Sequence, residues 1–100
     1  MKLAIRTEQF DRAKLQRLAK RYGIKQMSVF GSRARGDGVK NSDLDLLVTF
    51  DKRKRIGLFE FVAIQEQMTK KIHTTVDLHT FDGMHPYLMK RIQKELVAII

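Results

Sequence analysis

The sequence predicts an α/β fold in which helices flank a small central mixed sheet. Segments with helical periodicity alternate along the chain with short apolar or β-branched segments, which is typical of this class. The 100 residues leave room for one hydrophobic core, so we expect a single domain over residues 1–100. The link between the first two predicted strands is short, which favours a mixed sheet over a wholly parallel one.

The first helix is predicted to begin near Thr7, a residue type that caps helices, with Glu8 in its first turn. Gly23 provides a stop signal at the other end. The apolar residues between these points recur near one face of the helix, and they are Phe10, Leu15, Leu18 and Tyr22.

Two strands are predicted on either side of a glycine-containing segment. Residues 26–30 form a short buried strand that ends at Gly31, where a short helix can begin. Residues 37–42 are polar and contain glycine, which predicts a loop. Residues 43–50 form the second strand, and their continuous apolar middle indicates a strand covered on both faces.

The second half of the chain repeats this alternation after a charged loop at residues 51–55. A helix is predicted over residues 58–72, and a β-branched strand over residues 74–80. Pro86 suits the first position of a last helix, whose apolar face would contain Leu88, Ile92, Leu96 and Ile99. The apolar end, residues 97–100, is a candidate interface for a homo- or hetero-oligomer.

Charge and composition limit the classes of partner. The net charge of +9 lies entirely in residues 1–55, because residues 56–100 are neutral. Such a field favours a polyanionic ligand, nucleic acid or an acidic protein, although a solvated basic surface is an equal alternative. The chain has no cysteine, no apolar run long enough for a membrane and no signal-peptide pattern, so we expect a cytoplasmic protein.

Three aspartates stand where strands are predicted. Asp43 and Asp45 are two residues apart, so their carboxylates point the same way and can share divalent ions, Mg²⁺ first. Asp77 interrupts a β-branched strand and can complete a cluster for two metal ions. The alternatives are a capping role for Asp43, an exposed edge for Asp45 and a pairing of Asp77 with a basic residue. His79 is predicted to support the site or lie at the surface.

A candidate phosphate-binding motif precedes these carboxylates. Gly31 permits close approach of the backbone, and Ser32 offers a hydroxyl that can donate to a β- or γ-phosphate. Arg33 and Arg35 are candidate charge partners, and we expect one to face the site while the other is solvated or pairs with Asp37. A lone Gly-Ser is usually an ordinary turn. Its spacing from Asp-x-Asp is what suggests chemistry on a nucleoside triphosphate.

These residues match the signature of a known family. Residues 31–48 contain Gly-Ser-x-Ala-Arg-Gly followed by Ser-Asp-x-Asp-Leu-x-Val. This pattern resembles the minimal nucleotidyltransferases (MNT proteins) of the DNA polymerase β-like superfamily. Residues 76–78 resemble the family's third carboxylate strand, and residues 92–97 resemble its C-terminal helix. The resemblance covers nearly the whole chain and implies the polymerase β palm-like nucleotidyltransferase fold.

The resemblance also implies an activity, in which ATP is bound with two Mg²⁺ ions and AMP is transferred to a tyrosine of a partner protein. MntA-like members of this size are antitoxins that modify a HEPN-domain ribonuclease toxin. The implied metal-binding and catalytic residues are Asp43, Asp45 and Asp77. The implied nucleotide-binding residues are Gly31, Ser32, Arg33, Arg35 and Ser42.

Two other functions compete with this enzyme. The protein could be a non-catalytic antitoxin that neutralises its partner by stoichiometric binding. It could also bind nucleic acid through its basic surface, including residues 52–55. The sequence disfavours nucleic acid as a substrate, because it has few aromatic residues for base stacking and no recognised DNA-reading motif.

Overall fold

The fold is an alternation of helices and strands, seen in a computed structural model that describes residues 9–39 and 41–100. The described elements are α1 (Arg12–Arg21), β1 (Ile24–Phe30), α2 (Ser32–Arg35), β2 (Leu44–Phe50), α3 (Leu58–Ile72), β3 (Val76–Thr80), α4 (Pro86–Ile92), a 3-10 turn (Gln93–Glu95) and β4 (Val97–Ala98).

The four described strands form one mixed sheet in the order β3-β2-β1-β4. β1 is antiparallel to both β2 and β4, whereas β2 and β3 are parallel. The parallel pair is joined by α3, the helical crossover that such a connection needs. The predicted α/β class with a mixed sheet is therefore confirmed.

Both faces of the sheet are covered, as the apolar middle of β2 predicts. Leu46 belongs to the larger core, which α1 and α3 cover, and its neighbour Leu47 belongs to a smaller core on the opposite face. The smaller core contains Phe30 of β1, Met84 and Ile92, so α4 covers this second face. Because side chains alternate along a strand, Asp45 projects to the same face as Leu47, toward the side of α4.

The start of α1 differs from the prediction. Asp11 caps the helix, and its carboxylate accepts a hydrogen bond of 3.0 Å from the backbone N–H of Lys14. Aspartate caps at least as well as threonine, so Asp11 supplies the signal that the sequence reading assigned elsewhere. Phe10 precedes the helix and packs on the larger core. The predicted cap, Thr7 with Glu8, lies outside the described residues.

The strands agree with the prediction to within two residues at each start. β1 begins at Ile24, directly after Gly23, whose φ of +71° ends the preceding helix as predicted. β2 begins at Leu44 and β3 at Val76. No helix within the described ranges is long and apolar enough to cross a membrane.

The C-terminal segment was predicted wrongly as one long helix. The helix ends at Ile92, a 3-10 turn follows, and Val97 and Ala98 pair with Val29 and Ser28 of β1. The apolar spacing of this segment fits a helix as well as a strand, but the free edge of β1 needs hydrogen-bond partners. Of the predicted interface segment, Ile99 is only 5% exposed, whereas Ala98 and Ile100 are exposed.

Candidate active site

Two carboxylates lie side by side on the two parallel strands. Asp45 of β2 is in register with Asp77 of β3, and His79 lies two residues further along the same face of β3. One ligand atom from each of these three residues lies within 4.8 Å of those of the other two. Nε2 of His79 is 3.1 Å from Oδ2 of Asp77. This group has the ligand types and spacing that could hold a divalent metal ion.

Asp43 lies beside this group without joining it. The residue precedes β2 and is exposed, in contrast to the half-buried Asp45. The negative charge of Asp43 nevertheless acts on Asp45, because it helps to raise the pKa of the Asp45 carboxyl group. The structure therefore brings Asp45 and Asp77 together and leaves Asp43 at the rim of the site.

The environment of Asp45 opposes its ionisation. Burial raises the pKa of this carboxyl group above its ordinary value, and the charge of Asp77 raises it further. Asp43 and Glu95 add smaller effects in the same direction, while His79 acts against them. A bound cation would relieve this repulsion, so the donor chemistry of the site fits a divalent metal.

Gly31 lies directly against Asp45. The backbone of Gly31 has a φ of +81°, a conformation that other residues rarely adopt. A Cβ atom at this position would overlap Oδ2 of Asp45. Since Phe30 is in register with Asp45, the turn that leaves β1 must pass over the carboxylate. The glycine turn and the metal-binding candidates therefore form one continuous surface.

The backbone N–H of Gly31 already binds an anionic group. It donates a hydrogen bond of 2.6 Å to Oε2 of Glu95, which ends the 3-10 turn after α4. Nη1 of Arg35 donates to both oxygens of the same carboxylate, at 3.0 and 3.1 Å. Arg35 also donates from Nε to Oδ2 of Asp37 at 3.2 Å. Of the two candidate arginines, Arg35 is the one that lies beside Gly31.

Arg33 and Ser42 hold the loop between α2 and β2. Nε of Arg33 donates to the backbone oxygen of Ser42 at 2.8 Å, and its Nη1 donates to that of Gln9 at 3.2 Å. The hydroxyl of Ser42 accepts a hydrogen bond of 2.7 Å from the N–H of Val39. These contacts give both residues a supporting role in shaping the loop.

The hydroxyl of Ser32 faces the same loop. A Cβ atom built on Gly38 would lie 3.2 Å from Oγ of Ser32 and 3.2 Å from Oγ of Ser42. Gly38 is held by Gln9, whose side chain accepts from its N–H at 2.7 Å and donates to its carbonyl oxygen at 3.1 Å. Both serine hydroxyls therefore lie next to Gly38, where a side chain would crowd them.

Sequence reasoning gave little weight to His79 and did not identify Glu95. The position of His79, two residues after Asp77 in a strand, was a usable signal, because it places both side chains on one face. Glu95 carried no such signal, since it lay within the segment predicted as an ordinary helix. Its contact with Gly31 depends on the 3-10 turn and on β4, which only the folded chain reveals.

Comparison with known proteins finds a family model and several relatives that this chain resembles. A family model described as a nucleotidyltransferase domain matches residues 12–99. A protein of Methanocaldococcus jannaschii, provisionally named protein adenylyltransferase MJ1379, is 34% identical over 83 residues, which cover 82% of this chain and 83% of the relative.

Solved structures show the same fold. One, provisionally named a minimal nucleotidyltransferase, is 30% identical with a TM-score of 0.71, and 86% of each chain is covered. A second is the complex of a tri-AMPylated HEPN toxin of Shewanella oneidensis with an MNT antitoxin. A chain of that complex has a TM-score of 0.68 and 13% identity, covering 89% of this chain and 68% of its own length.

Proposed function

This chain belongs to the nucleotidyltransferase domain family, and we propose that it transfers AMP from ATP to a tyrosine hydroxyl of a HEPN-domain toxin, which it thereby neutralises. A relative named as a protein adenylyltransferase supports the activity, and the fold shared with a HEPN toxin–MNT antitoxin complex supports the partner. The observation that carries the proposal is the register pair of Asp45 and Asp77 beside the backbone of Gly31.

The proposed metal ligands are Asp45 and Asp77, with Asp43 at the rim of the same face. Two Mg²⁺ ions are the proposed cofactors, because carboxylate oxygens and substrate phosphates are the ligands that Mg²⁺ prefers. When bound, such ions stabilise the attacking and leaving oxygens of a phosphoryl-type transfer. His79 contacts Asp77 at 3.1 Å and would hold that carboxylate in position.

The side chains and backbone of the chain would act on the substrates as follows. Asp77 accepts the proton of the attacking hydroxyl. The hydroxyl oxygen forms a bond to the α-phosphorus, while the bond from this phosphorus to the oxygen that bridges to the β-phosphate breaks. Pyrophosphate leaves with that oxygen. The N–H of Gly31 and the hydroxyl of Ser32 donate to the β- and γ-phosphates, and Arg35 neutralises their charge.

Arg33 and Ser42 contribute indirectly to this site. Nε of Arg33 donates to the backbone oxygen of Ser42 at 2.8 Å, and the hydroxyl of Ser42 accepts from the N–H of Val39 at 2.7 Å, so both side chains hold the loop between Ser32 and the Asp-x-Asp strand. We therefore propose that their replacement loosens the phosphate-binding turn rather than removing a direct contact with nucleotide.

Isotope position tests the reaction. The protein is incubated with Mg²⁺ and a candidate HEPN-domain partner protein, once with ATP labelled at the α-phosphate and once with ATP labelled at the γ-phosphate. AMP transfer predicts label on the partner from α-labelled ATP only, and none after addition of EDTA. Transfer of the γ-label, or no transfer at all, would contradict the proposal.

Exposed apolar side chains favour a second candidate function, in which the protein neutralises its partner by stoichiometric binding. Leu58 is 74% exposed, Phe59 89% and Tyr87 69%. Such side chains are typical of surfaces that bind another protein. Growth rescue from the toxin by an Asp77→Ala variant, to the same extent as by the wild type, would favour this function. Loss of rescue with retained complex formation would favour the enzyme.

A further inference from the structure

The carboxylate of Glu95 occupies the position where an anionic ligand of Gly31 would bind. It accepts from Gly31 N–H at 2.6 Å and from Nη1 of Arg35 at 3.0 and 3.1 Å. The side chain of Glu95 is only 21% exposed, so these contacts are partly shielded from water. Hydrogen bonds between a charged acceptor and a backbone or guanidinium donor are among the stronger ones in proteins.

A phosphate oxygen would need the same donors. A backbone N–H carries one hydrogen, and Glu95 already holds that of Gly31 at a short distance. A phosphate and the Glu95 carboxylate therefore cannot both accept from this group with good geometry.

The surroundings leave room for Glu95 to move away. A cleft of about 360 Å³ lies beside the contact and is lined by Arg35, Lys94, Glu95 and Leu96, among others. Glu95 ends a 3-10 turn of three residues between α4 and β4, where backbone hydrogen bonding is weaker than in an α-helix. Lys94 in the same cleft could pair with the released carboxylate.

We propose that Glu95 is an internal, displaceable anion that competes with the polyphosphate of the substrate for Gly31 and Arg35, and thereby limits nucleotide affinity. This inference rests on the proposed function for the identity of the competing anion. Binding of nucleotide transfers the two donors from Glu95 to the phosphates. Glu95 then moves toward the cleft, so the 3-10 turn responds to occupation of the site.

The test uses inorganic tripolyphosphate, which needs neither the adenosine group nor a partner protein. The dissociation constant of tripolyphosphate is measured by calorimetry for the wild type, for Glu95→Gln and for Glu66→Gln. Glu66 is an exposed residue of α3, and its replacement gives the same change in net charge as that of Glu95. We expect Glu95→Gln to bind about fivefold more tightly or better, because a charged competitor is removed. Glu66→Gln should stay within about twofold of the wild type.

The amide resonance of Gly31 gives a second readout. A short hydrogen bond to a carboxylate shifts this resonance downfield, so Glu95→Gln should move it upfield, and tripolyphosphate should move it in the wild type. Unchanged or weaker binding by a folded Glu95→Gln protein overturns the inference, and so does absence of binding to both proteins. Failure of AMP transfer in the isotope assay, with tighter binding by Glu95→Gln, would instead reject only the proposed function.

Discussion

At the scale of single residues, the candidate site is defined by three groups that lie very close together, namely two carboxylates and a glycine backbone. Asp45 is half-buried, in register with Asp77, and covered by the backbone of Gly31. The burial of this carboxylate and its like-charged neighbour both disfavour the folded state, and the positive φ of Gly31 would add strain in any residue other than glycine. Such costs at one place are typical of a functional site.

Gly31→Ala tests the close approach. The added Cβ would overlap Asp45, and the φ of +81° would be strained in alanine. We expect a loss of about 1–3 kcal/mol in the free energy of unfolding and loss of AMP transfer. Gly57→Ala is the matched control, because a Cβ there meets open space and φ is −84°. Equal effects of both substitutions in denaturant unfolding and transfer assays would contradict this geometry.

Asp45→Asn tests the electrostatics of the metal-free protein. The folded protein raises the pKa of Asp45 above 3.8, so it binds this proton more tightly than the unfolded chain does. This proton therefore contributes to the free energy of unfolding. The contribution is complete below the ordinary pKa of 3.8 and is lost as pH rises through the raised pKa of the folded protein. In EDTA at neutral pH, Asp45→Asn should therefore melt about 2–4 °C above the wild type, a small effect because Asp45 keeps some solvent contact.

The pH dependence of this difference provides the check. Melting temperatures are measured in EDTA from pH 4 to pH 8, with the exposed Asp82→Asn as control. The advantage of Asp45→Asn should grow as pH rises, and addition of Mg²⁺ should stabilise the wild type more than the variant. A variant that is less stable than the wild type at every pH would contradict the assigned repulsion.

At the scale of elements, the alternation of helical and β-branched segments, together with helix start and stop residues, predicted most of the fold. The structure of residues 93–98 could not be predicted in this way, because it depends on pairing with a distant strand. Residues 58–72 were predicted and observed as one helix, because a single apolar stripe covers that length. Leu96 and Ile99 also fitted a helical stripe, yet Val97–Ala98 forms β4. The deciding factor was β1, a strand distant in sequence, whose outer edge would lack hydrogen-bond partners without β4.

Two isoleucines at the chain end test this arrangement. Ile99 is 5% exposed and packs in the larger core, whereas Ile100 is 49% exposed. Ile99→Ala should reduce the free energy of unfolding by about 2–4 kcal/mol, because it leaves a cavity in the core. Ile100→Ala should cost about 0.5 kcal/mol or less in the same urea titration. Similar losses for the two variants would contradict β4 as described.

At the scale of the whole molecule, the site joins the two halves of the sequence. The basic first half supplies Gly31 and Asp45, and the neutral second half supplies Asp77, His79 and Glu95. The sequence alone predicted that Gly31 and Asp45 act together, because both lie in one continuous segment with a recognisable spacing. The contribution of Asp77 was predicted only on the condition that its strand lies beside that of Asp45. The parallel pairing of β2 and β3 meets that condition.

The transfer rate of an Asp77→Asn variant tests the central claim most directly. The rate of AMP transfer from α-labelled ATP to the proposed HEPN-domain partner is measured for the wild type, for Asp77→Asn and for the exposed control Asp82→Asn. Because Asp77 is the proposed proton acceptor, we expect the transfer rate to fall about 100-fold or more for Asp77→Asn and to show no material change for Asp82→Asn. A folded Asp77→Asn protein that transfers AMP at the wild-type rate would contradict a catalytic pair of Asp45 and Asp77.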